Sequence, residues 1–371
     1  MNSRERLLRV LERKPVDRVP ISTYELCGYN SLAFENNEPS YKRLMDFIRE
    51  YTDCVCMWNP ASNQNLALSS YPVEVTRDRY RKDNYLVIRE VFHTPKGDLS
   101  RTIQIFDNVH TQWTTEHLCK DIDDVDAYLS VPYEKVTYDY SDYERIKSEV
   151  GQRGIIMASV ADPVCTAMEL MEFGQATVWA LTETDHFKKA LEEIHYRTMT
   201  NLESMLRSGV VDLYRIVGPE YMTPPYLPPV YFQWFVYPYV KEMTQLIQSY
   251  GGKVRIHSHG RIEKVLDMIG ETGADAIDPC EGPPDGDITL AEVKKRIGSK
   301  MCIFGNIQLK LLENGTRDEV YQQVKECMEA AKDGGGYVIM PTASPINVPL
   351  SPKTEENYIT FIEAALELGK Y

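Results

Sequence analysis

Lys253-Val-Arg-Ile-His257, Ala274-Asp-Ala-Ile-Asp278, Met301-Cys-Ile-Phe-Gly305 and Tyr337-Val-Ile-Met-Pro341 are four short apolar or β-branched runs that recur along residues 253–341. Each has the length and composition of a strand buried on both faces, and most are followed by a helical pattern. Working back toward the N-terminus, Val19–Thr23, Asp53–Trp58, Gly154–Ser159 and Leu213–Val217 have the same character. Eight such βα units predict a closed parallel (β/α)8 TIM barrel of the α/β class. A doubly wound sheet is disfavoured because no GxGxxG phosphate turn follows the first strands.

The chain has 371 residues. We expect one barrel domain over 1–371 with two additions. Leu7, Leu8 and Leu11 lie at helical spacing, which predicts an N-terminal helical extension over residues 3–14 with Ser3 as its cap. Residues 72–106 alternate apolar and polar on either side of Pro95-Lys-Gly97, which predicts an antiparallel β-hairpin insertion. Nine carboxylates between Glu116 and Glu144 read as a solvated helix-and-loop surface.

Hydrophobic residues make up 43% and charged residues 26% of the chain, ordinary values for a globular protein. Forty-one Lys and Arg against 55 Asp and Glu leave a net charge of −14, so no basic footprint invites nucleic acid. No apolar run approaches the roughly 20 residues of a membrane span, and the Arg- and Glu-rich first residues do not read as a secretory signal. A cytoplasmic location without membrane attachment is expected, and homo-oligomerisation is left open. The eight cysteines show no framework spacing, and Cys54-Val-Cys56 reads as strand interior.

Functional groups of such a barrel belong at the C-terminal ends of its strands. His257-Ser-His259-Gly260 has the sharpest spacing, because residues i and i+2 of a strand share a face and both imidazoles can converge on one ion. A pair of hydrogen-bonded structural histidines has the same spacing. Cys280 and Glu281 close the next strand as competing further donors, and Glu220 closes the preceding one as a ligand or an acid or base. Asn306 and Gln308 repeat the i, i+2 spacing and could bond substrate or cap loops. Tyr24, Asn59 and Ser344 end other strands, and Tyr231 and Trp234 belong to an aromatic run that could roof a pocket or pack a helix. Asp285-Gly-Asp287 reads as a helix cap without a catalytic role.

Arg4-Glu-Arg-Leu, Pro15-Val-Asp-Arg-Val-Pro20, His257-Ser-His-Gly260, Gly305-Asn-Ile307, and Pro341-Thr-Ala-Ser-Pro345 leading to Thr354-Glu-Glu-Asn357 resemble the uroporphyrinogen decarboxylase superfamily, which includes zinc-dependent corrinoid methyltransferases. The resemblance covers nearly the whole chain and implies a TIM barrel with an N-terminal helical extension. Two departures bear on the reaction. The decarboxylases proper carry an Arg-Gln-Ala-Gly-Arg clamp after the first strand, whereas this chain has Ser22-Thr-Tyr-Glu-Leu-Cys-Gly28. The thiol methyltransferases hold zinc through His-x-Cys and a later Cys, whereas here His259 replaces the second ligand and the Ala343 region the third. The resemblance therefore implies Zn2+ on a harder donor set of His257, His259 and Glu281 or Cys280, suited to a Lewis acid acting on oxygen.

The expected activity is removal of methyl from a methoxylated or similar small-molecule methyl donor, with Glu220 and Asn306 as catalytic residues. Tyr24, Asn59, Tyr231, Trp234, Gln308 and Ser344 are expected to bind the donor. No Asp-x-His-x-x-Gly cobalamin motif is present, so the corrinoid is expected on a separate protein. Three alternatives stand beside this reading. A cofactor-free decarboxylase would use Glu220 or Asp278 as acid and Arg215 and Arg255 as clamp, and a thiol methyltransferase would use Cys280 as ligand. The third is a non-catalytic metal- or corrinoid-binding protein.

Overall fold

The computed structural model describes residues 1–371. Seven parallel strands form one curled sheet in chain order: Cys54–Met57, Gly154–Ala161, Leu213–Val217, Lys253–Ser258, Ala276–Pro279, Cys302–Ile307 and Tyr337–Pro341. Almost every residue in them is buried, as strands covered by helices outside and side chains inside must be. The eighth expected run, Val19–Thr23, is not a ladder strand. It joins the two ends of the sheet through one isolated parallel bridge and one further bond: Ser22 N–H donates to Ile339 O and Ile339 N–H to Pro20 O, both at 3.0 Å, and Asp53 N–H donates to Ile21 O at 2.8 Å. Pro20 has no N–H to give, and that of Ile21 is taken by the Asp53 carboxylate at 2.9 Å, so the run lacks the donors a longer ladder needs.

The N-terminal helix spans Ser3–Leu11, shorter than expected, and its cap is Asn2, whose side chain accepts from Glu5 N–H at 2.8 Å. It stops because Arg13 adopts φ 54° and the amides of Arg13 and Lys14 turn back to Val10 O and Arg9 O, a Schellman ending. Leu7, Val10 and Leu11 pack on Val55, Ile155, Leu213, Ala276, Cys302 and Val338, which lie at the N-terminal ends of the strands. The helix thus stoppers the bottom of the barrel with apolar side chains, each worth about 1.5–3 kcal/mol on burial. Arg6 ties it to the wall through Asp17 and Asp53, at 2.7 and 2.5 Å. Polar groups are left to the opposite, C-terminal mouth.

The insertion is a four-stranded antiparallel sheet, Glu74–Lys82, Tyr85–Thr94, Gly97–Phe106 and Trp113–Glu116. It extends beyond the expected 72–106 because residues 113–116 return to pair with 102–104 across an irregular register. Glu90 is buried in it between Arg77 and Arg101, at 2.7 and 2.6 Å. Asp285 and Asp287 do not cap the following helix. Thr289 caps Leu290–Ile297, while Asp287 accepts from Glu263 N–H at 3.0 Å and Asp285 pairs with Lys310. Cys54 and Cys56 are strand interior as expected, and all eight cysteines are buried and unpaired. No helix is long and apolar enough to cross a membrane.

Candidate active site at the barrel mouth

Three adjacent strands turn charged side chains into the barrel. The ladder sets Arg255 opposite Arg215 on one side, and His257 opposite Asp278 on the other. Arg255 is 1% exposed, and its Nε lies 2.9 Å from Asp278 Oδ1. Neither atom has a hydrogen-bond partner, so their contact is one of charge. The other oxygen, Asp278 Oδ2, lies 2.9 Å from His257 Nδ1. Burial alone would raise the Asp278 pKa, but Arg255, His257 and Arg215 together hold it well below the usual carboxylate range. An ionised carboxylate can only accept, so His257 carries its proton on Nδ1 and turns Nε2 toward the mouth.

Tyr24 sits in a tight turn closed by Leu26 N–H to Thr23 O at 3.1 Å, and its φ is 59°. A left-handed tyrosine costs about 1–2 kcal/mol. The surrounding contacts offset that cost: the phenol oxygen accepts from Arg215 Nη1 at 3.2 Å and lies 3.5 Å from His257 Nε2. Burial, and then the charge of Asp278, push the phenol pKa upward, so Tyr24 remains a protonated donor. The next residue, Glu25, rests its Oε1 3.1 Å from Arg215, and its N–H donates to Ser344 Oγ at 3.1 Å.

The second histidine joins the first. The rings of His257 and His259 are 4.6 Å apart and nearly perpendicular, as their i, i+2 spacing predicts. His259 Nδ1 lies 3.2 Å from Glu281 Oε2, which also accepts from Gly260 N–H at 2.7 Å. Burial works against a charged His259, but Glu281, with Glu220 and Asp278 beyond it, outweighs burial and raises the pKa. Glu281 is correspondingly lowered, since His259 and the Gly260 amide outweigh its own burial. Glu220, on the turn Pro219–Met222, accepts from Gly218 N–H at 3.3 Å and acts on His259 through charge.

The expected donor set is corrected in two places. Cys280 adopts φ 57°, which sends its side chain into the apolar layer outside the barrel while Asp278 and Glu281 face the histidines. Burial pushes its thiol pKa well up, the opposite of what a thiolate ligand needs. Glu281 is already engaged by His259 and Gly260, and no three His, Cys, Asp or Glu side chains gather to hold an ion. His257 and His259 remain as the two imidazole donors at the mouth. Each has a carboxylate at Nδ1, the arrangement that orients metal-binding histidines from behind and leaves Nε2 to coordinate.

Residues 102–365 match the uroporphyrinogen decarboxylase (URO-D) family model. The chain belongs to the URO-D family. Among curated relatives, the methylcobamide:CoM methyltransferase MtaA of Methanosarcina barkeri is 23% identical over 189 residues, 51% of this chain and 53% of that protein. The uroporphyrinogen decarboxylase of Vibrio vulnificus is 30% identical over 105 residues, 28% of this chain and 27% of that protein. The chain thus spans about half the length of the methyltransferase it matches and less of the decarboxylase. Among solved structures, a methyltransferase from Methanosarcina mazei shares the fold, with a TM-score of 0.61, 17% identity and 99% of each chain covered.

In this URO-D protein the remaining expected residues divide between the mouth and other places. Tyr24, Ser344 and Glu220 belong to the mouth. Asn306 does not: it is buried outside the barrel, where Nδ2 donates to Cys280 O at 2.7 Å and Oδ1 meets the Cys327 thiol at 3.3 Å, so it shapes the Cys280 loop. With Gln308 it lines a separate cavity of about 290 Å3 against Gln323 and Glu326. Asn59 has both amide atoms bonded to the Ser159 backbone, at 2.7 and 3.0 Å, which extends the strand edge. Tyr231 and Trp234 pack against each other at a tilt on the helix Pro229–Phe235, ring centres 5.5 Å apart, with Trp234 50% exposed and neither ring paired with a histidine. Arg215 and Asp278, which the sequence reading attaches only to the decarboxylase alternative, are central to the cluster. Their signal is strand parity: each stands an even number of residues from an inward-facing apolar neighbour, Leu213 or Ala276.

Proposed function

We propose that this URO-D protein is a methyltransferase that takes methyl from a methoxylated or similar small donor and delivers it to a separate corrinoid protein. The observation that carries the reading is the histidine pair at the mouth, with each Nδ1 fixed by a carboxylate and His257 Nε2 turned to the Tyr24 phenol. The M. barkeri relative, whose name describes methyl transfer from a methylcobamide, supports the reaction class. Zinc is the ion we assign to the pair: His257 and His259 would hold it, and bound there it supplies Lewis acidity toward the donor oxygen.

The chain's own residues do the rest. Asp278 and Glu281 keep the two rings in one tautomer and orientation. Tyr24 keeps its phenolic proton beside His257, where it can donate to an oxygen of the donor. Glu220, close enough to act on His259 by charge, is placed to carry a proton to the departing alkoxide or phenoxide. The strained Tyr24 turn holds these groups before any donor arrives, so little reorganisation is left for the reaction.

The alternatives fit the geometry less well. A decarboxylase of a polycarboxylate needs a surplus of positive charge, yet Arg255 is sealed against the buried Asp278, which leaves Arg215 as the one barrel arginine within reach of the mouth. A thiol methyltransferase needs Cys280 at the metal, and Cys280 is turned into the apolar layer. The test mixes the protein with a Co(I) corrinoid carrier protein and a panel of methoxylated aromatics and small methyl donors, following the absorbance change to methyl-Co(III). Methyl transfer that disappears in His257→Ala supports the reading. No transfer from any donor, with carbon dioxide released from a carboxylic acid, overturns it.

A further inference from the structure

The two barrel arginines are held in different ways. Arg255 is sealed below the mouth against Asp278, itself fully buried, so that pair has no exchangeable partner. Arg215 is also nearly buried, its side chain 9% exposed, but its anion is Glu25, whose side chain is 43% exposed at the tip of the Thr23–Leu26 turn. Nothing else bonds the Glu25 carboxylate. The residue is anchored through its backbone N–H on Ser344, so its side chain can swing outward without disturbing the turn. A buried guanidinium requires an anion beside it, and here the occupant comes from the solvent side and is free to leave.

We infer that Arg215 is the recognition point for a carboxylate on the substrate, and that Glu25 is an internal stand-in which the substrate displaces. This rests on the methyltransferase reading and narrows its donor class to small methyl ethers that carry a carboxylate. The geometry ties recognition to the reacting centre. The Arg215 nitrogen that contacts Glu25 at 3.1 Å also donates to Tyr24, whose oxygen lies 3.5 Å from His257 Nε2. A carboxylate in the place of Glu25 therefore holds a small molecule against Tyr24 and next to the histidine pair. Guanidinium suits the role because it stays charged and presents several N–H donors in one plane.

Calorimetric titration of the purified protein with 4-methoxybenzoate and with methoxybenzene tests the inference without requiring turnover. The acid should bind roughly 10-fold or more tightly than the neutral ether, the scale of a charge-assisted hydrogen bond. Glu25→Gln, an exposed and structurally mild change, should tighten the acid several-fold and leave the neutral ether unchanged, because the competing anion is gone. Arg215→Gln should erase the preference and Arg215→Lys should keep part of it. Equal binding of acid and ether, no binding of the acid, or weaker acid binding in Glu25→Gln overturns the inference. Acid preference without methyl transfer to Co(I) corrinoid would retain the Arg215 assignment and defeat the methyltransferase reading, whereas transfer without acid preference would do the reverse.

Discussion

His257 is held by its ladder partner: its Nδ1 lies 2.9 Å from Oδ2 of Asp278, the residue directly opposite on the next strand. The same carboxylate balances the sealed Arg255 through its other oxygen. One aspartate thus sets the orientation of a site histidine and neutralises the deepest charge in the barrel.

Asp278→Asn should therefore lose about 3–5 kcal/mol of stability in urea unfolding, since it strands a buried guanidinium. The paired change Arg255→Met with Asp278→Leu removes both charges and should cost clearly less than Asp278→Asn alone. Equal costs would show that the charge balance contributes nothing.

Metal content separates the roles of the strand-end residues. His257→Ala and His259→Ala should each lower the zinc found by elemental analysis of protein purified without chelator. Glu281→Gln should weaken zinc about 10- to 100-fold by releasing His259, the effect of losing a supporting partner. Cys280→Ser should leave zinc unchanged and cost about 1–3 kcal/mol, because it places a hydroxyl in an apolar layer.

Asn306→Ala leaves the Cys280 carbonyl without its donor and should cost about 1–3 kcal/mol. Because Asn306 is turned away from the histidines, turnover per folded molecule should stay near that of the parent. Thermal unfolding read alongside initial rates checks both halves. A collapse of the rate with stability intact would return Asn306 to the active site.

The inserted sheet should be acid-labile. Burial favours a protonated Glu90, but Arg77 and Arg101 outweigh it and lower its pKa below the 4.5 of a free glutamate. A depressed carboxylate contributes its stabilisation fully above about pH 4.5 and loses it as pH falls through the lower folded-state value. Amide hydrogen exchange over residues 74–106, corrected for intrinsic rates, should show protection falling in that window. Glu90→Gln should abolish the pH dependence.

The barrel strands from Gly154 onward are legible in the sequence because strands buried on both faces must be short and nearly all apolar. Val19–Thr23 has the same composition, yet its ladder depends on donors that Pro20 lacks and that Asp53 diverts from Ile21. The strand Trp113–Glu116 escapes pattern reading because four residues carry too little alternation to stand out. The helix end at Leu11 turns on the left-handed Arg13, which no apolar spacing encodes.

At the site, strand parity carries His257 inward, and its i, i+2 partner His259, one residue past the strand end at Ser258, keeps to the same side against Glu281. The same rule was silent beyond the strand ends. Whether Cys280 or Glu281 faces the histidines is decided by the left-handed backbone at Cys280, and the outward turn of Asn306 by the Cys280 carbonyl, just past the end of the neighbouring strand. The sequence by itself determined the apolar runs, their order, and the identity of the paired imidazoles, since these are properties of local periodicity. The partners of Arg215, Arg255 and Asp278 were decided only by the tertiary structure. A buried charge takes its counter-ion from whichever neighbouring strand or loop the closed ring brings within about 3 Å, and that register is a property of the whole barrel.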